Sequence, residues 1–91
     1  MLPVVWTAEA LDSLDQIAAF IAARNPLAAD HLQSLFEQAA ERLPLHPYMY
    51  RSGRVSGTRE AVVHPNYILV YRVSETAIDI LAVLHTRQDY P

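Results

Sequence analysis

Ninety-one residues, 52% apolar and 19% charged, suit one globular domain and exclude both a second core and a disordered chain. Cysteine is absent, which excludes disulfide frameworks, thiol nucleophiles and cysteine-ligated zinc. The net charge of −3 is unevenly spread: residues 1–41 carry −5 with Arg24 as their one base, residues 42–91 carry +2, and every base is arginine.

In chain order, residues 2–6 form a short β-type run. Thr7 follows as an N-cap, with Glu9, Asp12 and Asp15 near the positive end of a helix dipole. Leu11, Leu14, Ile17, Ala18 and Ile21 recur at spacings of three and four, the stripe of an amphipathic helix that ends near Arg24. Asn25-Pro26 starts a second helix, with asparagine as cap and proline where no backbone donor is missed. Ala28, Leu32, Leu35, Phe36, Ala39 and Leu43 make its stripe, and Pro44 and Pro47 end it. Two helices of roughly 25 Å joined by a residue or two must lie antiparallel.

The remainder reads as β. A strand falls within residues 55–65, bounded by Gly53 and Gly57 as bends and by Pro65-Asn66. Residues 67–73 are the next strand, Ser74-Glu75 a tight turn, and residues 77–84 the last strand. Short connections make these three an antiparallel meander, with the first strand joining a sheet edge. The expected fold is α+β in the order β-α-α-β-β-β: a helical hairpin on one face of a mainly antiparallel four-stranded sheet, as one domain over residues 1–91.

The last two strands lack clean alternation. Ile68 and Val70 oppose Tyr67, Leu69 and Tyr71, and Leu81 and Val83 are expected to oppose Ile78, Ile80 and Ala82, leaving both faces apolar. One hairpin covers one face, and only residues 45–54 remain to cover the other. An uncovered apolar face marks a protein partner or a second copy. The opening MLPVVWTAEALDSLDQ has no basic leader, and no apolar stretch nears the roughly 20 residues of a membrane span, so a cytoplasmic location is expected.

His31, His46, His64 and His85 fall in different elements without metal-ligand spacing, so no metal site is expected, and no cofactor motif occurs. One constellation has chemical content: Arg59 and His64 on one strand, with His85, Arg87 and Tyr90 just after the last. RNA cleavage through the 2′-hydroxyl needs a base, an acid and a cation, roles these groups suit. The competing reading is structural, with a histidine at a strand end and an arginine paired to Asp89 or Glu60.

The element order, with GTRE at 57–60, HPNYILVYRV at 64–73 and VLHTR at 83–87, resembles the RelE/ParE toxin superfamily of bacterial toxin–antitoxin modules, most closely its ParE branch, often labelled plasmid-stabilisation proteins. The resemblance spans essentially the whole chain. It implies a toxin neutralised by a cognate antitoxin (ParD-like or another small antitoxin) encoded beside it. ParE-like members poison DNA gyrase without known catalysis of their own. RelE-like members are ribosome-dependent mRNA interferases that use lysines on the strand matching residues 59–63, an arginine just before Leu-Val-Tyr, and a C-terminal arginine and tyrosine. Here lysine is absent and Ile68 precedes Leu69-Val70-Tyr71, while Arg87 and Tyr90 match the C-terminal pair. A histidine-using, YafQ-like subgroup would place its catalytic histidine at His85.

The primary expectation is thus a gyrase-inhibiting toxin with no catalytic residues and no cofactor. The alternatives are an endoribonuclease using His85, Arg87 and Tyr90, with Arg59 and His64 behind them, or a degenerate member that only binds antitoxin. Antitoxin contacts are expected at Leu14, Ile21, Leu32, Phe36, Ile68, Val70, Leu81 and Val83, and target contacts at Arg59, Arg72, Arg87 and Tyr90.

Overall fold

A computed structural model describes residues 1–88. Strand β1 (Val4–Trp6) leads into α1 (Ala8–Ala22) and α2 (Pro26–Arg42), and a single 3₁₀ turn (Leu43–Leu45) closes the hairpin. Then come β2 (Arg51–Ser52), β3 (Arg59–His64), β4 (Tyr67–Val73) and β5 (Ile78–His85). They form one sheet in the order β1-β5-β4-β3-β2, with β1 parallel to β5 and every other pair antiparallel.

The expected architecture stands, with one strand added. β2 is two residues long and pairs only Arg51 with Glu60 and Ser52 with Arg59. The strand expected within residues 55–65 begins at Arg59, because Gly53 donates its N–H to the Thr58 carbonyl and closes residues 53–58 into a loop. Gly57 in that loop has φ of +83°, open to glycine and strained for a side chain. A Cβ at Gly53 would overlap the Thr58 hydroxyl.

Each helix starts where its cap dictates. Asn25 Oδ1 accepts from the Ala28 N–H at 3.1 Å, beside Pro26 in the first turn. Thr7 does double duty: its Oγ1 accepts from the Ala10 N–H at 3.1 Å and donates to the Ile80 carbonyl at 2.8 Å. The cap of α1 is therefore also the latch between β1 and β5. Thr7→Ala should lower unfolding free energy by about 1–2 kcal/mol, the worth of one cap and one partly buried hydrogen bond, read from chemical denaturation.

The hairpin and the near side of the sheet bury Leu14, Leu32, Phe36, Leu43, Leu69, Tyr71, Ile78, Ile80 and Val83 in one core. A smaller cluster lies apart from it: Ile68, Val70 and Leu84, with Leu81 and Ala82 packed alongside. The register moves from Val70↔Ala82 to Tyr71↔Ile80, so Leu81 is an extra, bulged residue. The bulge corrects the expected alternation, because Val83 joins Ile78 and Ile80 in the hairpin core and Leu84 takes its place on the far side.

Two further expectations change. The far side is not bare: Ile68 and Val70 are each only 4% exposed and Leu84 9%. The uncovered-face argument for a partner therefore loses its premise at these residues. Residues 45–54, which with the C-terminal tail are the alternative cover for that side, place Pro47 and Tyr50 against Tyr71 instead. Tyr71 donates its hydroxyl proton to the Pro47 carbonyl at 2.6 Å, and the Tyr50 ring meets the Tyr71 ring edge-on at 6.3 Å. Tyr71 belongs to the hairpin core, so its hydroxyl and ring draw this segment against the helix-facing side.

Candidate functional site

The chemistry-bearing residues divide between the two ends of β4. At its start, Tyr67 lies between the two strand histidines: it pairs with His64 of β3 and with His85 of β5. The ring centroids are 5.7 Å apart for His64–Tyr67 and 5.3 Å for Tyr67–His85, and Phe36 of α2 meets the same phenol ring at 6.4 Å. Each histidine is held the same way. His64 Nδ1 accepts from the Asn66 N–H and His85 Nδ1 from the Arg87 N–H, both at 3.1 Å. Both rings therefore keep Nδ1 as acceptor and carry the proton of the neutral form on Nε2. The Arg87 side chain is exposed.

At the other end of β4, Arg59 pairs in register with Tyr71. Its Nη1 donates to the Tyr50 carbonyl at 2.8 Å and to the Tyr48 carbonyl at 3.1 Å, and its guanidinium carbon sits 5.0 Å from the Tyr48 ring centre. This arginine, a candidate for catalysis or target contact, thus clamps the segment 48–50 to the sheet. Arg51 Nε donates to Glu60 Oε1 at 3.0 Å. Glu60 is buried, and its Oε2 meets no hydrogen-bond donor. Arg72 is exposed, in register with Asp79.

A cleft of about 450 Å³ opens beside Arg59, lined by Tyr48, the loop at 52–58 and Val73. A second hollow of about 160 Å³ lies between α2 and β3, with Leu35, Ala39, Tyr50, Val62 and Val63 in its walls.

His64 and His85 are thus brought together around Tyr67, with the Arg87 backbone N–H on His85, whereas Arg59 and Arg72 stand apart from them. Tyr90 lies outside the described residues, as does Asp89, a suggested partner of Arg87. Of the expected antitoxin contacts, Leu14, Leu32, Phe36 and Val83 face the chain's own core, Ile68 and Val70 are buried in the far-side cluster, and Ile21 and Leu81 are half-buried. His31 and His46 are exposed. Among the described residues no three histidine, aspartate or glutamate side chains gather as metal ligands, and no helix is long and apolar enough to cross a membrane.

Sequence reasoning passed over Tyr67, Tyr48 and the loop serines. Tyr67 carried a signal, since an aromatic opening a strand between two histidine-ended strands becomes their neighbour once the meander is drawn. Ser52 and Ser56 carried none.

Residues 4–90 match the family described as the ParE toxin of the type II toxin–antitoxin system parDE. The Y4kP protein of Sinorhizobium fredii is 38% identical over 87 residues, covering 94% of this chain and 90% of that one. Toxin RelE2 of Caulobacter vibrioides is 34% identical over 85 residues, covering 93% and 96%. Among solved structures, the chromosomal ParDE toxin–antitoxin system of P. aeruginosa superposes with a TM-score of 0.83 at 20% identity, over 93% of this chain and 96% of that one. The fold is shared throughout, and with the family match over nearly its whole length the chain belongs to the ParE toxins of type II toxin–antitoxin systems.

Proposed function

We propose that this toxin acts in the cytoplasm by poisoning DNA gyrase and is silenced by a small cognate antitoxin. The gyrase assignment rests on the likeness to the ParE branch. The observation that favours it over RNA cleavage is the division of the site. Arg59 pairs with Tyr71 and His85 with Tyr67, four residues apart along β4. At about 3.3 Å per residue that is roughly 13 Å, too far for the histidine and that cation to meet on one phosphate. Arg51, the neighbouring cation on β2, is neutralised by Glu60.

One specific observation keeps the nuclease as a second reading: His64, Tyr67 and His85 do gather, with Arg87 next along the chain. The two readings part in a paired assay with purified toxin. Inhibited supercoiling of relaxed plasmid, with accumulation of cleaved DNA and intact mRNA in a reconstituted translation extract, is the expected result. Unaffected supercoiling with cut mRNA would replace gyrase by the ribosome as target. Inertness in both would leave a protein that only binds antitoxin.

For the antitoxin, the support lies at the outer edge of β3. β2 covers only Arg59 and Glu60, so residues 61–64 have no strand partner on that edge among the described residues, and Val62 is exposed. The adjoining hollow against α2 suits apolar side chains of a segment that adds itself as a strand.

A further inference from the structure

The cleft beside Arg59 has no part in the histidine end of the molecule, and its lining specifies a ligand. The guanidinium is held by one nitrogen, Nη1, while Nε and Nη2 have no acceptor among the described residues. No carboxylate of the described residues pairs with Arg59. Ser52, Ser56 and the exposed Tyr48 bring three hydroxyls to the same cleft, and none of them has a partner among the described residues. A fixed cation edge beside unspent hydroxyls calls for an anion, and a guanidinium edge matches the two oxygens of a carboxylate.

The rim says what carries the anion. Tyr48 lines the cleft and is 65% exposed, on a segment that Arg59 and Tyr71 hold in place; Leu45 and Met49, near it in sequence, are exposed at 59% and 63%. Tyrosine, methionine and arginine are the residue types enriched at protein interfaces, and a rigid aromatic anchor beside a charged pocket is the pattern of a binding hot spot. A nucleic-acid backbone would ask for a row of uncommitted cations, and here Arg51 is tied to Glu60 while the chain carries −3 overall.

We propose that this cleft is the surface with which the toxin grips its protein target, taking an aspartate or glutamate side chain of that target against Arg59, with Tyr48 and Met49 packing on the apolar residues beside it. The inference rests on the chain being a toxin with a protein target, and it holds for gyrase or for any other such protein.

The test uses Ser56, an exposed cleft residue, in two variants of similar bulk and opposite charge. Growth arrest on induction, affinity for the purified antitoxin, affinity for duplex DNA and thermal unfolding are measured for Ser56→Glu, Ser56→Arg and Tyr48→Ala. Placing a like charge against the incoming carboxylate should weaken toxicity about tenfold or more in Ser56→Glu. Ser56→Arg, which keeps the cleft cationic, should lose clearly less toxicity than Ser56→Glu, and Tyr48→Ala should lose toxicity. Antitoxin affinity and unfolding temperature should hold in Ser56→Glu and Ser56→Arg. Full toxicity in Ser56→Glu would overturn the proposal, and so would equal loss in both Ser56 variants or a parallel loss of antitoxin binding. Binding of duplex DNA that Ser56→Glu abolishes would overturn it in favour of a phosphate ligand. Growth arrest reports on any target and the supercoiling assay on gyrase alone, so failure of the cleft and failure of the gyrase reading are distinguishable.

Discussion

Phe36→Ala is expected to cost about 3–5 kcal/mol and to leave little folded protein at 37 °C. Phe36 is fully buried, sits in the α2 stripe, and meets Tyr67 of the sheet edge-on. Its removal opens a cavity between hairpin and sheet, where neither layer can collapse without breaking the register of β3, β4 and β5. A 91-residue domain holds few such side chains, so one is a large share of the total. Denaturant titration should show a lowered midpoint with an unchanged slope. Leu27→Ala, at an exposed position on the same helix, should stay within about 0.5 kcal/mol. Equal losses at the two positions would mean that α2 does not dock through this stripe.

The second large effect is alkaline. Burial pushes the Tyr71 phenol up to about 12, against a smaller downward pull from the Arg59 charge. The folded chain holds this proton to higher pH than the unfolded chain, whose tyrosine titrates near 10. Between those values the unfolded state binds fewer protons, so stability falls as pH rises. The contribution is fully present below about pH 10 and lost through 12, on the order of 2–3 kcal/mol. Tyr71→Phe should flatten that part of the profile. At neutral pH it should cost about 1–2 kcal/mol, because the Pro47 carbonyl loses its donor. Unfolding curves from pH 8 to 12 on both proteins measure this. A Tyr71→Phe profile parallel to the wild type would assign the alkaline loss to other groups.

Much of this architecture was legible because it is written in periods. The stripes from Leu11 to Ile21 and from Ala28 to Leu43 place both helices, although Leu11 itself is 48% exposed, and Thr7 and Asn25 mark their starts to the residue. The meander follows from turns too short for any crossover. What escaped was anything that depends on a single residue breaking a period. The bulge at Leu81 moves Val83 from one face to the other, and nothing in a run of aliphatic residues announces it. β2 is too short to carry a pattern, with two residues paired to β3. The histidines were legible as candidates, yet their meeting on Tyr67 depends on register. The cleft beside Arg59 arises from a loop closed by Gly53 and Thr58, a geometry composition cannot express.

The latch at Thr7 has a consequence for biosynthesis. Its acceptors, the carbonyls of Ile80 and Leu81, lie 73 and 74 positions downstream, and β1 finds its neighbour only in β5. During translation the first strand emerges early and waits, unpaired, until β5 is made. The helical hairpin can form while its sheet is still missing, and β1 finds its place only once β5 is available. Closure of the sheet is thereby postponed until β5 has been made.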